Sequence, residues 1–357
     1  MTKRLLLLNG LAVLGVVLHH ASGYGFRAMF FWTDVYRPVT VPNYDQVGTA
    51  TFYAIVLLQQ IDAFTLPAFM FVSGFFAAFM LSGKKRYSVA TTRVKNLLIP
   101  FAIWTLIYYL LLNRRLPGSL DDILSRYYYI PLLCQYYLLA PLIIPAVKTR
   151  WKLLLGVTAV LEIIENSLQY LGVMNIDPAS VALITRLTPK WLTPNLLFWF
   201  VLGAVASVHR QQFVAWLSRI RHRLPTTALI LIVLSMVEYV VIAHLTDNQW
   251  LGPYFGGLSR SVYALVFILA FLAYDEVDLP FQKEMSSLGS KSLGVYLAHS
   301  VVMYIGAVAM YRAAPWMLGN QILYQGTLIV VGLAVPILLM TLVARTPMRR
   351  GYRYLFG

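Results

Sequence analysis

The chain has 357 residues, of which 59% are hydrophobic and 12% charged, with a mean hydropathy of +0.68. Too little polar surface remains to solvate a soluble globule of that length, so a soluble fold is excluded and an all-α, polytopic transmembrane helical bundle is predicted. The formal charge of +15 is spread over several short loops rather than gathered on one module. That distribution argues against a nucleic-acid partner and leaves the lipid bilayer as the partner the composition requires.

Apolar windows of roughly 20 residues are needed to cross about 30 Å of hydrocarbon. They fall near 5–25, 50–82, 96–113, 130–147, 153–172, 192–208, 226–245, 259–275, 293–311 and 322–344, about ten spans in one domain of residues 1–357. Lys3 and Arg4 precede the first run as they would in a signal peptide. No small-residue cleavage site follows, so the run is read as a retained helix. It ends on His19 and His20, and ionisable groups at membrane depth are by default a functional hypothesis.

The connection 26–48 and its flank carry Tyr24, Phe26, Phe30, Phe31, Trp32, Tyr36 and Tyr44. They read either as an aromatic belt at the membrane interface or as a stacking platform for a sugar or headgroup. The second window is too long for one helix, and Pro67 with Gln59, Gln60 and Asp62 predicts a kink or an interfacial segment before it. Cys134 is the single cysteine, which excludes an intramolecular disulfide and a thiolate metal cluster and suits a packing role. The acids predicted within spans are Asp62, Glu162, Glu165 and Glu238, with Glu162 and Glu165 on one helix face at i, i+3. The other long polar connections are 173–191 and 209–225.

Cytoplasmic loops carry the excess of Lys and Arg. With the N-terminus inside, twenty basic residues fall on the cytoplasmic side, Lys84 and Lys85 among them. Nine fall on the other: Arg27, Arg37, Arg114, Arg115, Arg126, Arg186, Lys190, Arg260 and Arg312. Both termini are therefore expected in the cytoplasm. The six histidines include no i, i+4 pair and no His-Glu-x-x-His helix, and no Gly-rich phosphate loop or serine nucleophile elbow is present. No metal and no permanently bound cofactor are expected.

Several stretches resemble one family. Asn9-Gly10-Leu11-Ala12 opens a stretch in which ten residues lie between Asn9 and His20, and Pro67-Ala68-Phe69 runs into Ser73-Gly74-Phe75. Further on come Arg93-Val94-Lys95-Asn96-Leu97 ahead of Pro100, Phe198 to Gly203, and Ser292-Leu293 leading to Tyr296-Leu297-Ala298-His299. Their order along nearly the whole chain is similar to that of the acyltransferase-3 family of integral membrane O-acyltransferases. Asn9 and Asn96 stand where the family usually has a basic residue.

The resemblance implies a cell-membrane enzyme that moves an acyl group, usually acetyl, from a cytoplasmic acyl-CoA such as acetyl-CoA to a hydroxyl of an envelope glycan or glycolipid. His20 takes the position of the family's catalytic histidine, as general base or as acyl carrier. His19 points about 100° away on the same helix and is left as a neighbour. Asp62 is the first choice for the acid that orients the catalytic imidazole, with Glu162 and Glu165 as further candidates. Arg93 and Lys95 either hold donor phosphates or serve only as part of the inside charge. Tyr296 and His299 are grouped with them toward the cytoplasmic, donor side. Ser73, Asn9 and Asn96 complete the expected supporting set. A transporter or flippase of a glycan or lipid precursor, or a non-catalytic relative, are the alternatives.

Overall fold

A computed structural model describes residues 2–32, 48–81, 83, 86–248, 250–251, 255 and 257–357. Tyr36, Arg37, Tyr44, Lys84 and Lys85 lie outside the described residues, as do the side chains of Phe31 and Trp32. Every element of the described chain is helical. In chain order these are α1 (Thr2–Arg27), α2 (Ala50–Ile61), α3 (Thr65–Met80), α4 (Arg86–Tyr108), α5 (Leu120–Arg126), α6 (Tyr129–Val173), α7 (Pro178–Leu187) and α8 (Leu197–Val208). They continue as α9 (Arg210–Ile220), α10 (Leu224–Leu245), α11 (Leu258–Ala273), α12 (Gln282–Ser290), α13 (Ser292–Ala313), α14 (Gln321–Arg345) and α15 (Tyr352–Phe356).

Seven stretches of the described chain are long and apolar enough to span a bilayer. One of them, α6, is two helices joined at Arg150, whose φ of −132° is non-helical. Its halves match the two spans expected there, and the shorter apolar helices α8 and α11 fill two more expected windows. The second window breaks at a 3-10 turn, Asp62–Phe64, between α2 and α3. Pro67 sits in the first turn of α3, where its missing N–H leaves no helical bond unmade. The connection 173–191 is not simply polar loop, because it contains α7.

Burial follows the expected solvent. The first half of α6 is interior, with Leu132, Tyr136, Ala140 and Ile144 buried. Leu229, Val233 and Val237 of α10, and Leu338 and Leu342 of α14, are exposed. Such outward-facing apolar rows suit a helix whose surroundings are acyl chains. Phe26 and Phe30 are buried against Phe52 in an interior cluster, so these two form neither an interfacial belt nor an open stacking platform.

Glycines set the closest helix crossings. A Cβ on Gly74 would overlap the Phe200 carbonyl, and one on Gly203 would overlap that of Phe71. Backbones of α3 and α8 therefore touch, as small residues permit between apolar helices. The same relation joins α1 to α12, where Gly10 faces the Met285 carbonyl and Gly289 faces that of Leu6. Gly294 at the start of α13 meets Phe356 of α15. Both chain ends therefore share one end of the bundle.

Candidate active site

At that end, polar side chains tie helices to one another. Asn9 Nδ2 donates to the Gly289 carbonyl and to Ser292 Oγ, both at 2.9 Å. Arg4 donates to the Phe271 and Val277 carbonyls, both at 3.0 Å. Arg353 donates to Asn96 Oδ1 at 2.6 Å, which holds the C-terminal helix on α4. Arg93 is exposed and meets Met80 Sδ, and Lys95 is also exposed. None of Asn9, Arg93, Lys95 and Asn96 lines the cavity described next. Ser73 also lies off it, with its hydroxyl 3.3 Å from the Tyr129 hydroxyl.

A cavity of about 390 Å³ opens beyond the middle of the bundle. Its floor carries His19, His20, Tyr296 and His299, and Glu162, Glu165 and Asn166 of the second half of α6 form one wall. His20 and His299 have ring centroids 5.0 Å apart. Tyr296 and His299 were expected near the donor end with Arg93; instead they meet His20, because α12 lies against the first turns of α1 and starts α13 level with Asn9.

His299 is buried, and its Nδ1–H donates to the Val295 carbonyl at 3.1 Å. That bond puts the proton on Nδ1 and the lone pair on Nε2. Nε2 is itself buried and has no hydrogen-bond partner among the described residues.

Asp62 does not go to His20. Its carboxylate accepts from Nδ1 of His19 at 3.1 and 3.2 Å and from Arg260 Nη2 at 3.2 Å. Consecutive helical residues diverge by about 100°, so the 3-10 turn carrying Asp62 can face only one of the two rings. Asp62 is 2% exposed, and a carboxylate so buried needs a cation to remain charged. Arg260 supplies it from the first turn of α11, braced by a 2.8 Å bond to the Phe255 carbonyl.

The acids of α6 are held separately. Glu162 accepts from Trp199 Nε1 at 3.1 Å, and Glu165 interacts with Lys190. The segment 189–196 is pinned to α6 by Gln135 Nε2 donating to Trp191 and by the Tyr136 hydroxyl donating to the Asn195 carbonyl. Lys190 is open to the cavity yet ringed by protein. Loss of surrounding water pushes its ammonium down to about 8, against the pull of Glu165. Glu238 is spent elsewhere, accepting the Leu258 and Ser259 backbone N–H groups at the start of α11.

Sequence reasoning missed Arg27, Arg126, Lys190 and Arg260 as cavity residues, whereas Tyr24, named there for a belt or a stacking platform, does line the cavity. A signal existed for the four cations, since they belong to the nine basic residues that run against the charge rule. Cations placed against a topological bias need another reason to be there.

The arrangement puts two imidazoles side by side in a partly enclosed polar cavity, with a carboxylate–guanidinium pair behind the adjacent His19. Such a constellation can take a proton from a hydroxyl and hold a polar acceptor while an acyl carbon is attacked. The family model of acyltransferase-3, described as an acyltransferase domain, matches residues 4–341. The chain belongs to that family, and it is a membrane-embedded acyltransferase. No curated protein and no solved structure matches it.

Proposed function

We propose that this chain transfers an acyl group, acetyl in the first instance, from a cytoplasmic acyl-CoA to a hydroxyl of a glycan or glycolipid. The observation that carries the reading is the pairing of His20 with His299 on the floor of the cavity. His20 takes the proton of the acceptor hydroxyl as its oxygen bonds to the thioester carbonyl carbon. The carbon–sulfur bond then breaks, and the departing CoA thiolate receives that proton. An equivalent two-step route passes the acyl group through the His20 ring, with thiolate leaving before the hydroxyl attacks. The Nε2 lone pair of His299, on a ring whose centroid lies 5.0 Å from that of His20, is open to accept an N–H of His20 and would orient the ring. Arg93 and Lys95, exposed at the end of the bundle that carries both termini, suit the phosphates of the donor.

A second assignment within the same chemistry rests on Asp62, because His19 is the ring that has the carboxylate companion. The purified full chain in detergent, given acetyl-CoA and a panel of glycosides, should release CoA thiol and yield acylated sugar. Loss of transfer in His20→Ala with retention in His19→Ala supports the first assignment, and the reverse supports the second. Undiminished transfer in both variants overturns histidine catalysis altogether, while glycoside transport without CoA release would make the protein a transporter.

A further inference from the structure

Four cations line the cavity: Arg27, Arg126, Lys190 and Arg260. Arg260 is held by Asp62, and Lys190 works against Glu165. Arg27 and Arg126 have no carboxylate within ion-pair distance among the described residues. Arg27 closes α1 and Arg126 closes α5, so two separate elements bring them to the same cavity.

Their surroundings are aromatic. The Arg126 guanidinium lies 3.8 Å from the centre of the Tyr108 ring, and that of Arg27 lies 5.7 Å from that of Tyr24. Stacking of this kind fixes the plane of a guanidinium without neutralising it. The acids nearest Arg126 in the chain are engaged elsewhere. Asp121 accepts from Trp191 Nε1 and Ser125 Oγ, and Asp122 accepts from the Gly118 backbone. Both arginines line the same cavity as His20. Among the described residues, no carboxylate neutralises either guanidinium in the cavity that His20 also lines, and a pair of such forks selects carboxylate or phosphate.

Other residues of the same lining have complementary chemistry. Asn166 is bonded to the Glu162 carbonyl and to Ser261, and Glu162 accepts from Trp199; the remaining carboxylate lone pairs of Glu162 and Glu165 can accept from sugar hydroxyls. We infer that the acceptor is a polyhydroxylated anion, an acidic sugar or sugar phosphate, whose charged group is held by Arg27 and Arg126 while one of its hydroxyls reaches His20. The inference rests on the acyl-transfer reading and names its substrate class. A donor phosphate or a lipid headgroup offers the same anionic chemistry, so the test separates these sources.

Binding is measured by ligand-induced thermal stabilisation of the full chain in phosphatidylcholine nanodiscs. The probes are methyl glucuronoside against methyl glucoside, and glucose 6-phosphate against glucose. In each pair the anion should bind about tenfold more tightly, since bonds to charged groups are the stronger ones. Arg27→Gln and Arg126→Gln should each remove most of that preference while leaving the neutral sugar's binding unchanged. Equal binding within both pairs, or a preference that survives both substitutions, overturns the proposal. Weakened acetyl-CoA binding in the variants, with no preference among the sugars, assigns the arginines to the donor and also overturns it. A response to phosphatidylglycerol in the nanodisc, with no preference among the sugars, assigns them to lipid with the same result. Because no turnover is required, an anion preference without acyl transfer sinks the enzymatic reading alone. Transfer to neutral and acidic sugars alike sinks this inference alone.

Discussion

The two ends of the bundle spend polar residues differently. Where the termini meet, Asn9 bonds Gly289 and Ser292, Arg353 bonds Asn96, and Arg4 caps two carbonyls. Those groups satisfy one another. Around the cavity, among the described residues, the Nε2 of His299 has no partner and neither Arg27 nor Arg126 has a carboxylate within ion-pair distance. Buried polar groups ordinarily find hydrogen bonds, so an unmet imidazole nitrogen sharing one cavity with cations marks where a ligand is expected. The family-like motifs divide along the same line: Asn9, Gly10, Ser73, Gly74 and Asn96 assemble helices, whereas His20, Tyr296 and His299 line the cavity.

Substitutions can break that division or sharpen it. The largest effect is expected for His20→Ala, which should lower acyl transfer about 1,000-fold, as removal of a general base does, with the melting temperature in detergent nearly unchanged. A comparable fall in rate in Asn9→Ala at unchanged stability would erase the distinction between the two ends. Next comes Asp62→Ala, which strands Arg260 in a mostly buried position. It should cost about 3 kcal/mol of stability, and part of that should return in Asp62→Ala combined with Arg260→Met, measured by thermal denaturation. No recovery in the double variant would mean that the pair does not hold the turn.

Asn9→Ala itself should cost about 1 kcal/mol through two lost hydrogen bonds, with kcat and KM for the acceptor preserved. The smallest effect concerns pH. The Lys190 ammonium titrates near 8 in the fold against an ordinary value of 10.5. Between those values the unfolded chain binds more protons, so stability rises with pH across the window. In Lys190→Met that part of the rise should be missing from melting curves taken at pH 7.5 and pH 10; identical slopes would show that Lys190 is fully solvated.

Much of the helical framework was legible because transmembrane helices leave the plainest trace in a sequence: long apolar runs between basic loops. The break between expected spans at 147–153 falls at Arg150, and the break in the second window falls at Asp62–Phe64 rather than at Pro67. Proline in a first turn costs a helix nothing, and spacing could not say which polar residue would take the bend. The cavity was half legible. His20, Tyr296 and His299 stand in recognisable patterns, and Glu162 and Glu165 were conspicuous as acids within a span. Arg260, Arg126 and Arg27 were counted only as loop charge, because nothing local distinguishes an arginine that faces a cavity from one that faces water.

By itself the sequence determined a polytopic helical bundle, the placement of a histidine pair within its first span, and kinship with the acyltransferase-3 family. These are properties of composition, periodicity and order along one chain. Only the tertiary structure decided that Asp62 belongs to His19, that His299 rather than a carboxylate stands beside His20, and that Asn9 and Asn96 bind helices to helices. The partners in these contacts lie 43 to 283 residues apart. Which of two adjacent rings meets a given carboxylate depends on how helices cross, and crossings are fixed by packing at glycines such as Gly10 and Gly289 rather than by any residue's own preference.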